Sequence, residues 1–551
     1  GGTAMVTTNA QFGSAGNGRG FLTVSGAGST FTTGGYLSLG DDIPVDGPAR
    51  GDLIITAGGR IETGANAHIG RYTGTTGFAT VGSSTADVSE WVVDGQMTMA
   101  GTETSASTDG SGTLNVLTRG RVVVGDIIRA WDRSTINLNG GELAMRNLLL
   151  TDTATAGAPA FNFNTGTLRY TDSAGKTFDA AELDRVLGTS RTIGTGRTLA
   201  VENTITLTAP ARLNGGTLDV GVLPAGSRAN LDFDAGTLSL RQQAVTVDAG
   251  GLFGSTLALA PGQQLQVDAG ITVAPAGVLA ATGTTLGTDA GITNNGNLVL
   301  TASTVNGPVV TPAGSAVTVV GGVTFNGPVS GAGNFFGPGT STFAGGYAPG
   351  DSIATVLHEG SLTLTAGGRL EIESDGTSAD RVDVLGTLTA AGTLAVSGYA
   401  GGIPVPGQTY EILTHGERVG MFDAVANETG RIGLDLQLQY EADAVLLVVD
   451  ALIDGDANLD AVVNLADFNL LAINFGQSGR NWLQGDFNGD GLVNLEDFNI
   501  LAVNFGLSAV PAVTSSDWDT LQAAARDASV PEPASLATLG LGLGLLARRR
   551  R

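Results

Sequence analysis

GGTLDV at residues 215–220 returns as AGTLSL at 235–240, and the interval between them decides the fold. One step of the repeat runs from Gly216 to Gly236. The same phrase, x-G-T-L-x-V, recurs as SGTLNV (111–116), TGTLRY (165–170) and AGTLAV (391–396), at longer and irregular steps. Between the copies run short alternating segments broken by Gly, Asn, Asp and Thr, such as DLIITAGGRIE (52–62), LTRGRVVVGD (117–126) and SLTLTAGGRLEI (361–372). A period of ~20 residues with three short strands predicts a parallel β-solenoid (β-helix), because each coil covers the apolar face of the next. Glycines then supply the turns that need φ > 0. The alternative is a string of β-sandwich domains, with a strand every ~8–12 residues and Greek-key returns. Aromatic residues at 5% favour the solenoid, whose thin core is aliphatic.

Composition agrees with a mainly β chain. Glycine is 85 of 551 residues, about twice the usual ~7%, while charged residues are 14% and hydrophobic ones 42%. That is too apolar and too sparsely charged for disorder. The formal charge of −25 repels phosphate backbones, which excludes nucleic acid as a partner and suits divalent cations or solubility outside the cell. With no cysteine there is no disulfide, thiolate zinc site or cysteine nucleophile. The chain opens GGTAMV, beginning with Gly rather than Met and showing no secretory leader. It reads as a processed chain or a piece of a longer one, with further repeats upstream.

We expect a solenoid over 1–400 and a capping β segment over 401–449, where GGIPVPGQTYEILTHGERVGMFDAV changes to polar alternation. With FAGGYAPGDSIATV (343–356), this stretch resembles the passenger-type β-repeats of bacterial autotransporters and related surface proteins. Within the solenoid, SAGKTFDAAELDRVLG (173–188) has helical spacing in Phe178, Leu183, Val186 and Leu187, a short excursion from the coil. Its AGKT is not a phosphate loop. That motif needs a glycine where Tyr170 stands.

Two acidic stretches lie near the end: DANLDAVVNLAD (456–467) and DFNGDGLVNLED (486–497). Both follow the oxygen spacing of a calcium loop. Positions 1, 3 and 5 are Asp456, Asn458 and Asp460 in one and Asp486, Asn488 and Asp490 in the other. Position 7 offers the carbonyl of Val462 or Leu492, position 9 is Asn464 or Asn494, and position 12 is Asp467 or Asp497. Gly491 fills the sharp sixth position of the second loop, whereas the first has Ala461, which predicts a weaker or more strained first site. Each loop leads into a helix, DFNLLAINFG (467–476) or DFNILAVNFG (497–506). Phe468, Leu471, Ala472 and Phe475, and likewise Phe498, Leu501, Ala502 and Phe505, predict one apolar stripe per helix, the two stripes packing together. Gly476 and Gly506 sit where a helix ends.

Such tandem loop–helix pairs resemble the dockerin domain of bacterial extracellular proteins, over about Asp450 to Gly506. The resemblance implies two Ca2+ ions, folding coupled to calcium, and docking onto a cohesin-like partner. Positions 10 and 11, commonly a Ser/Thr pair in cohesin-binding dockerins, read Leu465–Ala466 and Leu495–Glu496 here. A surface polysaccharide is the other partner to consider. Nine acidic residues against Arg480 alone should hold the unit open until calcium neutralises it.

After a linker (507–529) carrying SSDWDTLQAAARDA, a short helix capped by Ser516, the chain ends VPEPASLATLGLGLGLLARRRR. Its parts are Val530-Pro531-Glu532-Pro533, an uncharged run from Ala534 to Ala547, and Arg548, Arg549, Arg550 and Arg551. The run is shorter than the ~20 residues that span a bilayer, yet the arginines mark a cytoplasmic stop. This tripartite tail resembles the PEP-CTERM sorting signal. The resemblance implies transient anchoring of a hydrophobic helix in the inner membrane, cleavage there by an exosortase, and release to the cell surface or extracellular matrix.

For catalysis the sequence offers little. His68, His358 and His415 fall in different coils, none beside a recognisable nucleophile. GDIIRAWDRS (125–134) gathers Asp126, Arg129, Asp132 and Arg133, a set that reads as a solvated turn. Trp91 and Trp131 are the solenoid's tryptophans, thin provision for a sugar groove. The expectation is a non-catalytic exported surface or matrix protein, the alternative a polysaccharide lyase or glycoside hydrolase built on the β-helix.

Overall fold

The computed structural model describes residues 1–14, 17–41, 48–154 and 157–509. The helix expected within 515–528 and the sorting segment 530–551 lie outside the described residues. The chain divides into two compact units. One comprises Gly1–Ile403, Tyr410–Ala426 and Leu438–Leu447, and the other Pro404–Thr409, Asn427–Gln437 and the chain from Val448. The 401–449 stretch is thus shared between them.

The first unit is a parallel β-solenoid. Its strands do not pair with their neighbours in sequence but with the matching strand one coil on. Thr3–Val6 lies against Thr30–Thr33, which lies against Arg60–Thr63, which lies against Ser89–Val93. Ala10–Phe12, Leu37–Leu39, Ala67–Ile69 and Met97–Met99 stack the same way on a second face. A third stack joins Arg19–Ser25, Arg50–Thr56 and Thr76–Val81. The TAGG of DLIITAGGRIE is therefore a corner: Ala57 and Gly58 take φ 52° and 85°, and the strands on either side diverge to different stacks.

Coil length is not constant. Arg60 lies opposite Glu90 in the first part, whereas Val278 lies opposite Asn297 in the second, so the later coils are much the shorter. The step read from Gly216 to Gly236 holds locally, where Leu218 lies opposite Leu238. The ladder from Leu143 through Leu168, Leu199, Leu218, Leu238 and Leu265 to Leu286 is the spine of the core, each side chain at most 1% exposed. Burying one such leucine contributes roughly 1.5–3 kcal/mol. Three copies of the recurring phrase place their Leu on this ladder. Leu114 and Leu394 belong to other stacks, opposite Ile136 and Leu370, so the phrase marks a strand type rather than one address.

The core is not aliphatic throughout. Phe335 stacks on His358 at 4.2 Å between ring centroids, Phe343 stacks on Tyr347 at 4.4 Å, and all four are buried. The excursion at 173–188 contains helix α1 (Ala180–Leu187), which buries Leu183, Val186 and Leu187 as its spacing predicted. A second short helix, α2 (Ala225–Arg228), interrupts a later coil. On the solvent face an ion-pair chain crosses successive coils. Arg60 and Arg121 both meet Glu90, Arg121 and Arg169 both meet Glu142, and Arg169 and Arg241 both meet Asp219.

Candidate metal-binding module

The second unit holds both acidic loops, followed by α3 (Leu465–Asn474) and α4 (Leu495–Asn504). The sequence repeat becomes a local two-fold relation. Gly476 N donates to Val493 O at 2.7 Å and Val493 N to Gln477 O at 3.1 Å. In the matching arrangement, Gly506 N donates to Val463 O at 2.8 Å and Val463 N to Leu507 O at 3.0 Å. Each loop is thus closed by the chain leaving the other loop's helix, so neither half is complete alone. Between them lie Ala457, Val463, Leu471, Phe487, Val493 and Leu501, all buried. Phe468 and Phe498 meet edge to face with centroids 6.2 Å apart.

The expected helix stripes are only half right. Leu471 and Leu501 are 1% exposed, but Phe475 and Phe505 are 47% and 54% exposed, and Ala472 and Ala502 face outward. Each helix instead turns the aspartate of its first turn inward with Leu471 or Leu501, because Asp467 and Asp497 must reach the loop. Gly476 and Gly506 do follow the helix ends, at φ 78° and 87°, with their amides spent on the opposite loop.

The two loops repeat one hydrogen-bond pattern. Asp456 accepts from Ala461 N at 2.7 Å, and Asp486 from Gly491 N at 2.8 Å. Asn458 accepts from Asp460 N, and Asp460 from Val462 N, as Asn488 and Asp490 do from Asp490 N and Leu492 N. Asn464 and Asn494 cap the helices, accepting from Ala466 N and Glu496 N. Asp467 and Asp497 complete capping boxes and accept further amides from across the loop, Ala457 N and Phe487 N. Among the described residues no three His, Cys, Asp or Glu side chains are placed together as a metal cluster. The position-12 carboxylates are turned to backbone amides. The residues of each predicted set are gathered in one loop, with the last carboxylate held by the backbone.

Electrostatically the loops are incomplete. Asp456, Asp467, Asp486 and Asp497 are 0–3% exposed, and among the described residues no arginine, lysine or histidine forms an ion pair with them. Burial pushes the Asp456 carboxyl up to about 6, with the charges of Asp467 and Asp460 acting the same way. Burial likewise raises Asp486, reinforced by Asp497 and Asp490. Asp486 Oδ1 is buried with no hydrogen-bond partner. Ala461 takes positive φ, 64°, where the second loop has Gly491, and one signal that the loop spacing did not reveal stands beside it: Leu459 also takes positive φ, 57°, where the second loop has Gly489.

The residues considered for catalysis are dispersed. Asp126 pairs with Arg146 at 3.1 Å, Arg133 with Asp109 at 2.9 Å, Asp132 accepts from Thr153, and Arg129 lies over the Trp131 ring. Trp91 and Trp131 are buried, their Nε1 groups donating to Thr63 and to the Thr102 carbonyl. His68 is buried against Thr98 and depressed to about 4 by that burial, and His358 and His415 are buried in separate places.

No helix among the described residues is long and apolar enough to cross a membrane. Residues 529–551 match the family described as the PEP-CTERM protein-sorting motif. This signal marks the chain for export and cell-surface display, and such signals are processed by exosortase. No curated protein matches the chain. Among solved structures it is similar to the Hap adhesin of Haemophilus influenzae, at 11% identity and a TM-score of 0.20, over 81% of this chain. The match spans 64% of the adhesin's length.

Proposed function

We propose that this exported chain is a non-catalytic surface or matrix protein, in which a β-solenoid scaffold carries a dockerin-like calcium module and an exosortase-processed tail. The observation that carries the calcium reading is the burial of four aspartates that, among the described residues, have no basic partner. Buried charge of one sign is costly unless paired, and an all-oxygen set suits a hard divalent cation. Calcium would be held by Asp456, Asn458, Asp460, the Val462 carbonyl, Asn464 and Asp467, and by Asp486, Asn488, Asp490, the Leu492 carbonyl, Asn494 and Asp497. When bound it would supply positive charge to carboxylates that no basic side chain pairs among the described residues. The dispersal of Asp126, Asp132 and the histidines supports the non-catalytic reading. A cohesin-like or polysaccharide partner would be presented with exposed Leu465, Ile473, Leu495 and Val503, a surface more apolar than the Ser/Thr pattern of cohesin-binding relatives.

The test is calorimetric titration of chelator-stripped chain with calcium, alongside an Asp456→Asn/Asp486→Asn double variant. Two binding events in the wild type, lost in the variant, support the reading. A wild type that gives no binding heat at millimolar calcium sinks it.

A further inference from the structure

Lys176 is the one lysine of the sequence; every other basic side chain apart from three histidines is arginine. Arginine serves all the ion-pair chains of the solenoid face, so the exception points to something a guanidinium cannot do. A guanidinium stays protonated and does not attack carbonyl groups, whereas an amine freed of its proton does.

The surroundings of Lys176 supply the rest. Nζ lies 2.7 Å from Asn147 Oδ1 and 2.5 Å from Glu182 Oε1. The Lys176 side chain is 11% exposed and that of Glu182 18%. The rings of Tyr170 and Phe178, both fully buried, stand 4.9 and 5.4 Å from Nζ. Asn147 Oδ1 also accepts from Leu148 N at 3.0 Å, so its carbonyl is polarised by two donors. The three residues come from three elements: Asn147 opens the strand Asn147–Leu150, Lys176 opens the strand Lys176–Phe178, and Glu182 lies in the first turn of α1. The Asp179 cap accepts from Glu182 N at 2.8 Å and fixes that turn. The excursion from the coil at 173–188 thus delivers an amine, a carboxamide and a carboxylate to one apolar spot.

We infer that Lys176 and Asn147 join in an intramolecular isopeptide bond, with Glu182 carrying the proton. The Lys176 ammonium gives one proton to the Glu182 carboxylate, and the freed Nζ lone pair attacks Asn147 Cγ, sending the carbonyl π pair to Oδ1. Nζ then loses a second proton to Asn147 Nδ2, the Cγ–Nδ2 bond breaks with its electron pair on nitrogen, and the carbonyl re-forms. Glu182 returns its proton to the departing ammonia. Ammonium and carboxamide become secondary amide and ammonium ion, so charge and atoms balance without an oxidant or cofactor. Proximity in a desolvated site is the driving arrangement. In an exported chain without cysteine, the amide ties residues 29 apart in sequence where no disulfide can form.

Mass spectrometry of the purified full chain tests this without any variant. The expected result is a chain lighter by one ammonia, about 17 Da. Trypsin should release Asn147–Arg169 and Tyr170–Arg185 as one branched peptide, uncut at Lys176. Cleavage after Lys176 together with a free Asn147–Arg169 peptide of unmodified mass overturns the inference. Glu182→Gln should restore the full mass and the cut at Lys176; a cross-link that survives this substitution overturns the role given to Glu182.

Discussion

Ala461 and Gly491 hold the same turn of their two loops, at φ 64° and 81°. The left-handed region costs a residue with a Cβ roughly 1 kcal/mol and glycine almost nothing. No side chain or backbone crowds a Cβ at Gly491, so exchange there isolates the backbone effect. We predict that Ala461→Gly raises the stability of the module by about 0.5–1 kcal/mol and that Gly491→Ala lowers it by a similar amount. Urea unfolding followed by Trp482 fluorescence measures both; equal midpoints for all three chains would count against strain in the first loop.

His358 and Asp380 give opposite pH limbs. Burial holds His358 down at about 3, so the unfolded chain protonates it first, at its ordinary value near 6.5. Its contribution is therefore present above about 6.5 and lost as pH falls toward 3. Burial raises Asp380 to about 7, so its contribution is present below its ordinary value near 4 and lost as pH rises through 7. Between pH 4 and 6.5 the two slopes oppose. Asp380→Asn should leave stability rising with pH across that window, and His358→Phe should leave it falling, each by at most about 1.4 kcal/mol per pH unit. Urea midpoints at pH 4.5, 5.5 and 6.5 or so decide it; parallel profiles for the two variants would show that neither group governs the slope.

Glu90 bridges two coils through Arg60 and Arg121, with its own side chain 13% exposed and the arginines 41% and 46%. Solvent discounts each pair, but a shared, shielded carboxylate retains part of its value. Glu90→Gln should cost about 1 kcal/mol at low salt and less at high salt. A midpoint shift that is insensitive to salt would assign the loss to packing instead.

Residues 529–551 carry the PEP-CTERM protein-sorting motif. Replacing Pro531-Glu532-Pro533 by alanines should leave the uncleaved chain in the inner-membrane fraction, whereas removing Arg548 to Arg551 should impair its retention there before processing. Immunoblots of membrane, surface and medium fractions read both outcomes, and unchanged release of the first variant would detach cleavage from the motif.

The kind of each part is legible in the letters alone. Alternation punctuated by glycine implies coils that bury one face, and the Asp/Asn spacing with a helix after each copy implies paired loops, because these patterns are local and periodic. Which residues meet is another matter, settled by folding. Leu168, Leu218 and Leu238 share a ladder while Leu114 and Leu394 do not, since register depends on coil lengths that change along the solenoid. The helix faces of the module rotated away from the predicted stripe because Asp467 and Asp497 had to reach amides in their own loops. Asn147 and Lys176, unremarkable as letters 29 apart, became neighbours only when one coil was laid upon the next.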